Sequence, residues 1–386
     1  MERQDAKRPL LSLAMIVRDE SKFLPGCLGS VRGVAEEIVV VDTGSRDDTA
    51  AIAAAHGCRV FHAPWRDDFA SARNASLRRC TGEWVLMLDA DERLAPGQEE
   101  ALRACCTERT VSACMLQVRS RSTLPTGIAV QVMPYARLFR NDPAYRFEGT
   151  IHEQIIPSIA RAGGKIVSTG ILIEHLGYGQ GVGIMEQKAG RNLRLLHRRL
   201  GKNPQDAYAC YHIGSTASMF GRYGEAKEYL RRALRPGGLP DSIRAIVWNL
   251  LAEAELRTGA PAEAEECCRA SLGLAPVQFT ARWYIVGARI ARREYASALS
   301  PLAEILAMFF DVPSRPQVGI GVDLEIDESI VRRIMGQCLW KTGDAASALA
   351  SFAHALRLDP ASPGIRSDFA AALAATGSHV SSPDPR

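Results

Sequence analysis

The pattern of apolar residues changes period once, near residue 183, and that change divides the chain into two kinds of fold. Before it, short apolar runs alternate with helix-like stretches. The runs are LLSLAMIV (10–17), EIVVVD (37–42), CRVFHA (58–63) and EWVLMLDA (83–90). They are β-branched or aliphatic and continuous, as in strands buried on both faces of a parallel sheet. Helix-like stretches at 22–34, 47–57 and 69–80 separate them, so the order is βαβαβαβ. This predicts an α/β domain with right-handed crossovers. A chain of 386 residues already exceeds one ordinary core. Hydrophobic residues at 47% and charged residues at 23% argue against disorder.

Beyond residue 183 the strand signal stops. MEQKAGRNLRLLHRRL (185–200) reads as a long, basic, amphipathic helix. A repeat follows it. Ala226, Ala264, Ala298 and Ala348 each lie 12 residues after Gly214, Ala252, Val286 and Gly336. Gly221, Gly259 and Gly343 mark turns between paired helices, and Pro276 and Pro360 close two of the copies. The copies are 38, 34 and 50 residues apart, the excess lying in PGGLPDS (236–242) and DVPSRPQVGIGV (311–322). The pattern resembles the tetratricopeptide repeat, a helix pair of about 34 residues. IRSDFAAALAATG (365–377) reads as a closing helix.

Several classes are disfavoured. A net charge of +4 is too small to indicate nucleic-acid binding. No apolar run approaches the roughly 20 residues of a membrane span. The first apolar stretch reads as a strand and not as a signal peptide. Ten cysteines without a Cys-x-x-Cys spacing suggest reduced thiols in a cytoplasm, most of them small core residues. The arginines at 191–199 and 231–235 read as solvated helix faces, or as a surface for an acidic acceptor or a membrane. Trp65 either closes a pocket or packs.

The apolar run ending at Leu88 is followed by Asp89, Asp91 and Glu92, three carboxylates that are costly to bury and repel one another. Asp19, Asp42 and Asp89 each fall at or just past a strand's carboxyl end, the edge where open α/β sheets bind ligands. A single such Asp is usually a turn residue or a helix cap, and Ser45, Asp47 and Asp48 suit that role. Two carboxylates two residues apart can also share a hard cation, Mg²⁺ or Mn²⁺, which takes few protein ligands and the rest from phosphate and water.

Five segments then occur in order: SLAMIVRDES, EIVVVDTGSRDDT, FASARNASLRRCTGEWVLMLDADERL, ARLFRND and GTIHEQI. Over roughly residues 10–180 they resemble a family 2 glycosyltransferase of the GT-A fold. The repeat-bearing half resembles a subgroup that includes the peptide glycosyltransferases of glycosylated bacteriocins. The whole is expected to be an α/β, Rossmann-like nucleotide-sugar domain (1–182), a linking helix (183–203), an all-α repeat solenoid (204–377) and a disordered tail (378–386).

The resemblance implies roles for individual residues. Asp42 and the loop from Val17 to Glu20 are expected to bind the nucleobase. Arg73 is expected to contact the nucleotide or its diphosphate, Asp89 to lie near ribose and metal, and Asp91 to ligate the metal, Mg²⁺ or Mn²⁺. His152 and His175 are candidate metal or phosphate ligands. An inverting transfer needs a carboxylate to take the acceptor's proton, with Glu153 the first choice and Glu148 the second. The Glu-Asp pair common in the wider family is absent. The expected partners are a UDP-sugar donor and a peptide or protein acceptor held by the repeats, with a homodimer left open. A lipopolysaccharide or capsular glycan acceptor is the alternative. A non-catalytic repeat scaffold is the third reading, opposed by the intact acidic segments.

Overall fold

A computed structural model of the chain describes residues 8–124, 127–176, 182–235, 238–310 and 326–377. The tail at 378–386 and residues 311–325, which include the 311–322 insertion, lie outside the described residues. The chain divides into two compact units, Met1–Arg198 and Arg199–Arg386. The dividing point falls inside the helix read as a link.

In the first unit the elements are β1 (Leu11–Val17), α1 (Leu24–Ser30), β2 (Glu37–Asp42), α2 (Thr49–Ala55), β3 (Arg59–His62), α3 (Phe69–Leu77) and β4 (Trp84–Met87). Then come β5 (Glu92–Leu94), α4 (Glu99–Thr107), β6 (Ala113–Leu124), β7 (Gly127–Arg140), α5 (Ile156–Arg161), β8 (Ile166–His175) and α6 (Val182–Lys202). One mixed sheet runs β3-β2-β1-β4-β7-β6-β8-β5. The strands β1 to β4 are parallel. β2 and β3 lie to one side of β1 and β4 to the other. The reversal makes the carboxyl ends of β1 and β4 the switch point, where a crevice opens.

Continuous apolar runs give these strands two buried faces. Leu13, Met15, Trp84 and Leu86 enter one core cluster, while Ala14, Val85 and Met87 enter another. Alternation of side chains across the sheet produces this division. The other strands were less legible. β6 and β7 form a long antiparallel hairpin, with β7 also antiparallel to β4. Arg119 and Arg137 interrupt their apolar residues, as expected where strands are only partly covered.

The second unit is helical. Its helices are α7 (Ala207–Met219), α8 (Tyr223–Ala233), α9 (Asp241–Arg257), α10 (Pro261–Leu274), α11 (Phe279–Ala291), α12 (Tyr295–Phe310), α13 (Glu328–Lys341), α14 (Ala345–Leu358) and α15 (Pro363–Thr376). Four hairpins and a closing helix therefore coincide with the counted repeats. Ala226, Ala264, Ala298 and Ala348 are all fully buried. A Cβ on Gly214 would come within 2.7 Å of Leu230, and one on Gly336 within 2.7 Å of Phe352. The ten cysteines are all free thiols, and all but Cys105 are buried.

Gly221, Gly259 and Gly343 turn three of the hairpins with φ of 71°, 81° and 91°. Arg293 holds the equivalent place in the third hairpin, with φ of 62°. An L-residue pays about 1–2 kcal/mol for that left-handed conformation, against the smaller entropic cost of glycine. Arg293→Gly is therefore expected to stabilise the second unit by about 1 kcal/mol. A thermal melt followed in that unit checks it, and an unchanged or lowered midpoint would refute the strain.

Candidate active site

The residues after β4 form a turn that closes on itself. The Glu92 N–H donates to the Asp89 carbonyl at 3.0 Å, and the Glu92 carboxylate accepts from the Asp89 N–H at 2.9 Å. This explains how a buried strand can end on carboxylates: Glu92 is consumed in the turn. It is 2% exposed, and burial pushes its carboxyl up against the pull of Arg137.

Two arginines neutralise the turn. Arg137, on β7, donates to Glu92 and, at 3.1 Å, to Asp89 Oδ2. Arg73, on α3, donates to Asp89 Oδ1 at 2.8 Å and through Nε to Glu153. Burial alone would raise the Asp89 pKa, but Arg73 and Arg137 outweigh it and hold the group well below the usual carboxylate range. Glu153, Arg73, Asp89, Arg137 and Glu92 thus form one chain of alternating charge. Arg73 Nη1 and Arg137 Nε are buried without a hydrogen-bond partner. Arg137 lies in the quoted ARLFRND segment, yet its role was missed. The signal was electrostatic: a buried carboxylate three residues from a part-buried one needs more than one cation.

Asp91 is placed differently. Its Oδ2 lies 3.5 Å from His175 Nε2, while His175 Nδ1 meets Ser120 Oγ at 2.9 Å. Antiparallel pairing of β5 with β8 brings Glu92 opposite His175 and thereby sets His175 beside Asp91. Burial opposes the charged imidazole, but Asp91 and the neighbouring carboxylates raise the His175 pKa overall. Asp91 and His175 are the two expected metal ligands that meet. His152 stands in a tight loop with φ of 53°, closed by the Glu148–Gln154 backbone pair. Among the described residues no three His, Cys, Asp or Glu side chains converge in a metal cage. A carboxylate with an imidazole nevertheless fits a divalent ion that draws its other ligands from a diphosphate and water.

The loops after β1 and β2 form a second cluster. Asp42 is 3% exposed and accepts through Oδ1 from Gly44 N and Ser45 N, both at 2.7 Å. The turn role is real, and it engages one oxygen. Asp47 accepts from Thr49 N and Ser21 N, each at 3.1 Å, so it ties the first residue of α2 to the β1 loop, while the N-cap position itself falls to Asp48, whose side chain makes no capping bond. Val17 is buried, with its carbonyl accepting from Thr43 N at 3.0 Å. Glu20 meets Lys188 Nζ at 3.4 Å, and burial raises its pKa despite that lysine. Trp65 donates to Asp67 at 2.8 Å and packs edge-on against Phe69. Glu148 is bound at both oxygens by Arg161.

Residues 12–155 match the family described as Glycosyl transferase family 2. The segment 12–155 is thus a glycosyl transferase family 2 domain. Residues 207–235 and 334–362 match the tetratricopeptide repeat, so the helical hairpins of the second unit are repeats of that kind. A TPR repeat-containing protein of Synechococcus elongatus is 34% identical over 267 residues, covering 64% of this chain and 62% of that protein. The SPbeta prophage-derived glycosyltransferase SunS of Bacillus subtilis is 24% identical over 228 residues, 58% of this chain and 53% of SunS. An uncharacterized glycosyltransferase of Rickettsia conorii is 35% identical over 85 residues, 22% of this chain and 30% of that protein. The chain thus spans 62% and 53% of the first two relatives. Residues 12–155 contain every site residue expected from the sequence except His175.

Proposed function

We propose that this chain is an inverting, metal-assisted glycosyltransferase acting in the cytoplasm on a nucleotide sugar, with UDP the expected nucleotide. The acceptor is a peptide or protein side chain recognised by the repeats. One observation carries the reading: at the switch point of a family 2 domain, Arg73 and the acidic residues Asp42, Asp89 and Asp91 lie on the sheet's carboxyl edge. For the acceptor, the support is the repeat array, since such solenoids offer extended surfaces to peptides. No helix among the described residues is long and apolar enough to cross a membrane.

Each residue has a role in this scheme. Asp42 keeps Oδ2 for the nucleobase, beside the Val17–Glu20 loop. Arg73 faces the diphosphate, and Asp89 orients Arg73 on the ribose side. Asp91 and His175 would hold Mg²⁺ or Mn²⁺. When bound, such an ion supplies positive charge against the charge that develops on the departing diphosphate. Glu153 takes the acceptor's proton as its heteroatom attacks the anomeric carbon from the face opposite the diphosphate. Glu153 is favoured over Glu148 because Arg73 joins it to Asp89, whereas Glu148 is taken up by Arg161.

The test is turnover by the full chain against UDP- and GDP-sugars with Mn²⁺, with donor affinity measured in parallel. Sugar release to water or to a peptide acceptor is expected. Neither binding nor turnover across the panel would overturn the proposal.

A further inference from the structure

The basic face of α6 has an unbalanced centre. Lys188, Arg191, Arg194 and Arg198 recur at spacings of three, three and four, which places them along one stripe of a helix. The ends of the stripe are matched: Lys188 meets Glu20 at 3.4 Å, and Arg198 meets Asp67 at 2.5 Å. Arg191 is not matched. Its guanidinium lies 5.0 Å from the Phe69 ring centroid, and its Nε reaches only the neutral Asn192 Oδ1 at 3.2 Å. Among the described residues it makes no ion pair. Burial, with Arg18 and Arg194 close by, pulls its pKa down and outweighs Glu20 and Asp67, which act in the other sense.

An arginine does not shed its proton to escape such a place, so the charge persists and favours an anion. The location suggests which anion. Phe69 opens α3, the helix that carries Arg73. Glu20 follows β1 and feels the charges of Asp91 and Asp89. Arg191 therefore stands over the same crevice as the candidate active site. Of the three clustered arginines, Arg18 already lies 3.8 Å from Asp19. One carboxylate would balance only one of the remaining two, Arg191 and Arg194, whereas a diphosphate carries enough charge for both and offers oxygens that suit the guanidinium fork.

We propose that Arg191, flanked by Arg18 and Arg194, is a diphosphate-binding residue at the rim of the crevice. The inference rests on the proposed nucleotide-sugar reading. Its ligand chemistry, a phosphoryl oxyanion, could come from the donor or from inorganic phosphate species.

Calorimetry on the full chain separates these cases, with UDP, GDP, uridine, guanosine and inorganic diphosphate as probes. The proteins are the natural chain, Arg191→Gln and Arg191→Lys. Arg191→Gln is expected to weaken a nucleoside diphosphate about 10- to 100-fold while leaving the bare nucleoside unchanged, with Arg191→Lys between. Equal nucleoside diphosphate binding by the natural chain and a folded Arg191→Gln would overturn the inference and leave the donor reading intact. Binding of inorganic diphosphate alone, lost in Arg191→Gln, would keep the anion site and remove its assignment to the donor. No phosphate-bearing probe bound by the natural chain would overturn both.

Discussion

Arg137→Met is expected to destabilise the first unit by about 3–5 kcal/mol, the usual cost of removing one partner from a buried ion pair. The Glu92 side chain is 2% exposed and loses its ion-pair partner among the described residues, while Asp89 loses one of two. Methionine fills much of the arginine's volume, so the loss reports charge more than a cavity. Glu92 already has a raised pKa, and the variant raises it further. Above the unfolded glutamate value the folded state then binds more protons than the unfolded one, so stability falls as pH rises through that window. Lowering the pH should recover part of the loss, as should adding Glu92→Gln. Denaturant unfolding of the first unit, read through Trp65 and Trp84, provides the measurement. A loss below about 1 kcal/mol would show that water already serves these carboxylates.

Asp91→Asn is expected to lower metal-dependent turnover about 100- to 1,000-fold or more, since charge aimed at a developing negative charge is worth that much. The fold should survive. The Asp91 backbone carbonyl, which accepts from Leu176 N at 2.8 Å, is unchanged, and among the described residues the side chain's ion partner is His175. Mn²⁺ affinity should fall with turnover, because the substituted amide carries no charge. Near-natural turnover at saturating donor and limiting Mn²⁺ would remove Asp91 from the proposed role.

The sequence made half of this architecture plain for physical reasons. Strands buried on both faces announce themselves as apolar runs, so β1 to β4 were visible. A helix pair that must pack against its neighbour repeats its small residues, so Ala226, Ala264, Ala298 and Ala348 could be counted. What stayed hidden depends on pairings distant in sequence. Arg137 reaches Asp89 only because β7 lies beside β4, and His175 reaches Asp91 only because β5 pairs with β8. The contact of Glu153 with Arg73, eighty residues away, likewise exists only in the fold. Asp42 shows the opposite limit: the bland turn reading and the ligand reading each claim one of its oxygens.

The close approach of Gly214 to Leu230, and of Gly336 to Phe352, has a consequence for how such an array can vary. The two positions of each pair are sixteen residues apart, and in these two hairpins they compete for one space. In the third hairpin the same positions hold Val286 and Leu302, both buried, so that hairpin accommodates two large side chains. In the second hairpin, Ala252 is matched with the small Cys268, both fully buried. A methyl group gained at the first position must be surrendered at the second, or the hairpin has to widen. Single exchanges at either member should therefore be harmful where the joint exchange is tolerated. In the first and fourth hairpins homologous arrays should therefore drift at these two positions in concert, so that there the unit of inheritance is the pair and not the residue.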